Sequence, residues 1–319
     1  MKIITAKTVS ILLFLICTGT FTTQTMAIEP APHYEIYNRG DLIQIEYQSD
    51  PIADFILMND IEITDDIWRP IGSSKPFSGN FEGNNHTITF TKEVTFQHPI
   101  NSRSDEFGLF GKTKDANISN LNLVFNGNAT GGNNTGALVG IFNSSQNSIV
   151  NCTVQSSNHT ISGNNNVGGL IGNLVNGNIE NSSSDFSVKA EKSNAGGLIG
   201  YVLRGNISNS YAAGSVEANK NAGGFIGYIS DKTILQNSTA NGSVKPAGEF
   251  GNFIGDWDEE YKPTVIDCYY NDTEVDLEPV DLEPIPQNNK SLYYGMAICG
   301  IILLIAAAII SYSKKKKNE

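Results

Sequence analysis

Val167-Gly-Gly-Leu-Ile-Gly172, Ala195-Gly-Gly-Leu-Ile-Gly200 and Ala222-Gly-Gly-Phe-Ile-Gly227 are near-copies of one hexapeptide. Looser copies flank them: Phe107-Gly-Leu-Phe-Gly111, Gly136-Ala-Leu-Val-Gly140 and Phe250-Gly-Asn-Phe-Ile-Gly255. The final glycines, Gly111, Gly140, Gly172, Gly200, Gly227 and Gly255, are spaced by 29, 32, 28, 27 and 28 residues. A fixed period of that length signals a repeat array in which each unit buries its apolar face only against its neighbours. A second track runs in step: Ile118-x-Asn120, Ile149-x-Asn151, Ile179-x-Asn181, Ile207-x-Asn209, Leu235-x-Asn237 and Val265-x-Asp267. A third places Val188, Val216 and Val244 nine residues beyond those aliphatics.

Short apolar strokes broken by Gly, Asn and Ser read as short strands and leave no room for a long helix. The expected fold is therefore all-β, a parallel β-helix (β-solenoid) of about six 28-residue repeats. Stacking at ~4.8 Å would set Leu170 and Ile171, Leu198 and Ile199, and Phe225 and Ile226 over one another in an apolar column. The glycines would serve corners by positive φ or close approach. Asn120, Asn151, Asn181, Asn209, Asn237 and Asp267 would form a structural ladder of stacked, hydrogen-bonded amides.

Working outward, the chain divides into six segments. Residues 1–27 carry Lys2 and Lys7, the apolar run Ile11 to Ile16 and an ending in Thr25-Met26-Ala27, the pattern of a secretory signal peptide. Residues 28–105 are a β-rich lead-in and cap, 106–270 the repeat array, and Trp257 to Tyr270 its closing end. Residues 271–291 hold the doubled Val-Asp-Leu-Glu-Pro of an extended acidic stalk. Tyr293 to Tyr312 contain no charge, so 292–313 read as one C-terminal transmembrane α-helix. Lys314 to Lys317 in the 314–319 tail place that tail in the cytoplasm. The expected location is the cell membrane, single-pass type I, with the ectodomain extracellular. The net charge of −12 over 319 residues, more acidic still once the terminal lysines are set aside, disfavours nucleic acid as a partner.

The motifs Gly169-Leu-Ile-Gly172, Gly197-Leu-Ile-Gly200 and Gly224-Phe-Ile-Gly227 resemble the GLUG motif, a repeat of prokaryotic secreted and surface proteins. Phe55 to Ile61, Trp68-Arg-Pro-Ile-Gly72, Phe77 to Phe81 and Gly83 to Ile88 are similar to the segment that precedes such repeats. The resemblance covers roughly residues 50–270 and implies a β-helical surface module.

Chemistry is sparse along the repeats. Asp115, Asp185, Glu191, Glu217, Asp231 and Glu249 are scattered over different columns, and Arg204 has no carboxylate in register with it. Paired carboxylates for glycoside hydrolysis are thus not expected. His33, His86, His98 and His159 stand apart, without zinc-site spacing. No catalytic residue, cofactor or metal ligand is assigned. Cys152 and Cys268 each follow a ladder residue, four repeats apart; at ~4.8 Å per coil that is roughly 19 Å, too far for a disulfide. Among the Asn-x-Ser/Thr sequons, Asn117, Asn128, Asn206 and Asn271, at expected turns, are the candidate glycosylation sites. The expected function is non-catalytic: adhesion, binding or envelope structure, with glycans or other cell-surface proteins as partners. A β-helical polysaccharide lyase or hydrolase is the alternative.

Overall fold

A computed structural model describes residues 31–48, 53–98, 105–246 and 251–275, and the backbone of three short strands at 3–4, 9–12 and 25–28. The signal-peptide expectation falls almost wholly, and the stalk (beyond residue 275), transmembrane and tail expectations wholly, outside the residues whose side chains are described. Among the described residues no helix is long and apolar enough to cross a membrane.

The described chain is a parallel β-solenoid of about seven turns, whose strands form sheets of thirteen, nine and eight members. Inward columns show how the sequence dictates this. On the first sheet Phe110, Val139, Ile171, Ile199, Ile226 and Ile254 lie in direct register. Further along the same sheet a column runs Tyr34, Phe55, Phe81, Ile118, Ile149, Ile179, Ile207, Leu235, Val265. The second sheet stacks Ile61, Ile88, Leu123, Val154, Ser184, Ala212, Ala240 and Tyr270. The third stacks Val94, Ala129, Ile161, Val188, Val216 and Val244. Alternate residues of each strand point inward, and these columns merge into one continuous core. Each aliphatic side chain taken from water there contributes about 1.5–3 kcal/mol.

Register reaches back to Tyr34, so the lead-in winds the first coils of the solenoid. It differs in fill: Phe90 stacks on Phe125 with ring centroids 4.6 Å apart, and Trp68 meets Phe90 edge-on at 6.0 Å. It also carries a helix the strand pattern does not announce. Arg39–Gln44 is N-capped by Asn38, whose side chain accepts from the Asp41 N–H, and buries Leu42. The 3-10 turn Ile45–Tyr47 follows. There Glu46 accepts from the backbone N–H groups of Gly72 at 2.5 Å, Ser73 at 3.2 Å and Ser74 at 2.7 Å, with Arg69 at 3.5 Å. That carboxylate pins the helical insert to the 72–74 turn.

The closing end behaves otherwise than expected. Ile254–Trp257 pairs in register with Ile226–Ile229 and Thr264–Ile266 with Ile234–Gln236, so both extend the solenoid. Tyr269–Tyr270 also continues the stack, parallel to Thr239–Ala240, and at this end only Thr273–Glu274, pairing antiparallel with it, departs from the parallel course.

Candidate functional site

The repeat glycines meet a spatial demand. None of the six final glycines has positive φ. A Cβ on Gly200 would lie 2.5 Å from the Val167 nitrogen and 2.8 Å from the Gly172 carbonyl oxygen, where side chains cannot fit. Of the two readings the sequence allowed, close approach is the one that applies. The paired aliphatics Leu170, Ile171, Leu198, Ile199, Phe225 and Ile226 are all fully buried.

The asparagine column differs from the expectation. Asn120, Asn151, Asn181, Asn209, Asn237 and Asp267 share left-handed backbone, φ between 48° and 54°, at the corner between first and second sheets. Asn adopts that region at little cost, which accounts for its recurrence. Amide stacking is confined to one link, Asn151 Nδ2 to Asn120 Oδ1 at 2.9 Å; Asn120 itself donates to Glu82, and Asn181 to the neighbouring Glu180 at 3.5 Å. A continuous amide ladder exists elsewhere. Asn221 donates to Asn194 at 2.8 Å, Asn194 to Asn166 at 2.7 Å and Asn166 to Asn134 at 2.8 Å, all four with positive φ. Each stands six residues before a final glycine, a constant offset that could have revealed it.

Cys152 and Cys268 are buried, free and in one column, with Ser182, Ser210 and Ser238 between them. Each side chain bonds the carbonyl two residues earlier: the Cys152 thiol to Val150 at 3.4 Å, the Ser210 hydroxyl to Ser208 at 2.8 Å. Burial pushes the Cys152 thiol up to about 12 and raises that of Cys268 as well.

Of the sequon asparagines, Asn271 lies in a turn and Asn128 in an exposed loop, its Oδ1 accepting from Thr160 N–H at 3.0 Å. Asn117 and Asn206 lie within strands instead, their amides donating to Asn80 and Asn178. The expected isolation of Arg204 is also corrected. Its guanidinium pairs with Asp231 at 3.0 Å, one coil on. Elsewhere charges meet singly: Lys189 with Glu217 at 3.7 Å and Arg39 with Asp65 at 2.5 Å; the His86 ring nitrogen Nδ1 lies 3.1 Å from the Asp60 carboxylate. His98 bonds the Glu106 carbonyl through Nε2 at 2.7 Å. Among the described residues no group of three or more His, Cys, Asp or Glu side chains is placed to hold a metal ion. A cavity of about 510 Å³ opens at the last coil against Phe253, Ile254, Trp257 and Tyr270.

What remains as a site is the outside of the coils, where like positions recur at each rung. On the second sheet one outward row runs Thr87, Asn122, Thr153, Ser183, Tyr211, Thr239, Tyr269. On the first sheet Asn173, Tyr201, Tyr228 and Asp256 align, with the two tyrosine rings stacked 5.9 Å apart. The third sheet aligns Lys189, Glu217 and Lys245.

Repeated polar rows around a columnar apolar core define a β-solenoid, and comparison with known proteins supplies a motif. The model of the GLUG motif matches residues 163–189 and 193–217. Those two coils carry GLUG repeats. Halomucin of Haloquadratum walsbyi (strain DSM 16790 / HBSQ001) is 29% identical over 157 residues, 45% of this chain, and the chain spans only 2% of that relative's length. Among solved structures, a Bacteroides ovatus protein described as "a putative immunoglobulin A1 protease" covers 74% of this chain and 83% of its own, at 18% identity and a TM-score of 0.49.

Proposed function

We propose that this chain is an exported, single-span surface protein whose solenoid stands outside the membrane and acts without catalysis, as an adhesion, binding or envelope-structural module. Its partners would be glycans or other surface proteins, and nucleic acid is disfavoured by the acidic charge. The observation that carries this reading is the outer surface. Rows of neutral hydroxyl, amide and phenol side chains repeat rung after rung, whereas the charged groups pair one with one. Such a surface offers many equivalent weak contacts along a line, which suits an extended partner through multivalency. The relation to halomucin and the sequence pattern of the two chain ends support display at the cell surface.

Intact cells making the protein provide the test. Added protease is expected to remove the solenoid while the basic tail stays protected, and deletion of the gene is expected to reduce attachment or alter envelope integrity. Full protection of the solenoid from external protease would overturn the reading.

A further inference from the structure

Tyr211 and Tyr269 are among the few large apolar side chains on the outside of the coils, each 40% exposed. They share one outward row with Thr239 directly between them, so they stand two rungs apart, about 9.6 Å at ~4.8 Å per rung. The stacked pair Tyr201 and Tyr228 shows the contrast. On adjacent rungs the rings cover one another, with 14° between their planes; the intervening Thr239 prevents that between Tyr211 and Tyr269.

We propose that this row binds an extended, neutral β-1,4-linked polysaccharide lying along the solenoid axis, with one sugar ring stacked on Tyr211 and the next-but-one on Tyr269. An extended β-1,4 chain turns successive sugars over, so it presents the same apolar face once per disaccharide. Its disaccharide advance matches two rungs of a β-sheet, whereas α-linked chains coil away from a straight row. Flat apolar rings with a polar edge are the usual partners of such sugar faces. Hydroxyl groups for the sugar edges come from Thr239 and, farther along the row, Ser183. Beside the first ring Asn241 Nδ2 donates to the Tyr211 hydroxyl at 3.4 Å, which helps to fix that ring.

Charge selects within the polysaccharide class. Glu274 pairs across from Tyr269 and, with Asp267 and Asp272, is exposed at that end of the row. A polyanionic chain would be repelled there, which leaves neutral glucans and N-acetylated polymers. The exposed Ile234 and Ile266 lie on the first sheet beyond the Asn237 and Asp267 corner, outside the row.

This inference rests on the reading of the chain as a surface binding module and deepens it. The full chain in detergent should be retained by insoluble β-1,4-glucan or by a β-1,4-linked N-acetylglucosamine polymer, and neither by polygalacturonate nor by an α-linked glucan. Tyr211→Ala and Tyr269→Ala should each weaken retention roughly tenfold. The double variant should abolish it, with an unchanged far-ultraviolet spectrum. Ile234→Ser with Ile266→Ser should bind as the parent does. Failure of the parent to bind either neutral β-1,4 polymer, or parental binding by the double variant, overturns the proposal. So does sedimentation showing self-association that the isoleucine variant disperses, which would make this edge an interface between copies. Cell attachment that depends on the protein but not on Tyr211 and Tyr269 would leave the surface reading standing and remove only the polysaccharide row.

Discussion

Residues 53–130 and residues 160–246 wind by the same hydrogen-bonding scheme, yet they fill their interiors differently. The upstream coils are packed with Phe55, Trp68, Phe81, Phe90, Phe96, Phe110 and Phe125, all buried. Downstream the second-sheet column shrinks to Ser184, Ala212 and Ala240, and the Gly-Gly corners close onto it. A Cβ on Gly169 would lie 2.9 Å from the Ser184 Cβ, and one on Gly197 3.1 Å from that of Ala212. Side-chain size in this column thus changes along the stack while the strands stay parallel. Close packing makes a position filled by a large ring and one filled by Ala intolerant of change in opposite directions.

Substitutions can break or sharpen that comparison. The largest effect is expected at the repeat glycines: Gly200→Val puts side-chain atoms where the Val167 nitrogen and Gly172 oxygen stand, and should cost more than about 4 kcal/mol in guanidinium unfolding. Next come paired changes of opposite sense. Phe125→Ala, in the stack with Phe90 and Phe186, should cost about 3–5 kcal/mol by opening a cavity. Ala212→Leu should cost about 1–3 kcal/mol by overfilling against Gly197. Tolerance of either Leu at Ala212 or Ala at Phe125 would contradict interiors matched to side-chain volume.

The two asparagine columns give a smaller contrast. Asn194→Ala interrupts a ladder with partners on both sides and should cost about 1–3 kcal/mol. Asn181→Ala loses mainly left-handed backbone preference, about 1 kcal/mol. Thermal midpoints of the two variants measured together check the order.

The smallest effect is expected at Cys152. Ser fills the equivalent position at Ser182 and Ser210, so Cys152→Ser should shift stability by less than about 1 kcal/mol at neutral pH. The two should separate in alkali. Burial raises the folded-state thiol from 9.0 to about 12, so the parent keeps this contribution below pH 9 and loses it as pH rises toward 12. The serine variant should show a shallower alkaline decline, read from unfolding midpoints across that range.

How much of this was legible in the sequence follows from the same contrast. In the regular coils like residues recur at a fixed period, and the columns of Ile171, Ile199 and Ile226, Val188 and Val216, and Cys152 with Cys268 can be placed by counting. The amide ladder through Asn166 and Asn194 carried an equally regular signal, but it sat between glycine and valine tracks in a chain crowded with asparagine. In the aromatic-filled coils the residues vary in identity and spacing, so the period disappears although the register does not. Glu46 reaching the Gly72 to Ser74 amides has no periodic counterpart at all. Outward rows were the least legible. Position along the chain says which residues face out, but only the register shows that Thr239 separates two tyrosines.

The change in side-chain size also bears on how such a chain can lengthen. An extra unit copied from the stretch around Ser184 to Ala240 would meet matching small residues above and below, whereas one copied from around Phe90 would face a mismatch on at least one side unless inserted beside its parent. Gain and loss of units among kindred chains should therefore cluster in the regular coils, leaving the aromatic-filled coils as a fixed foundation on which reach is adjusted.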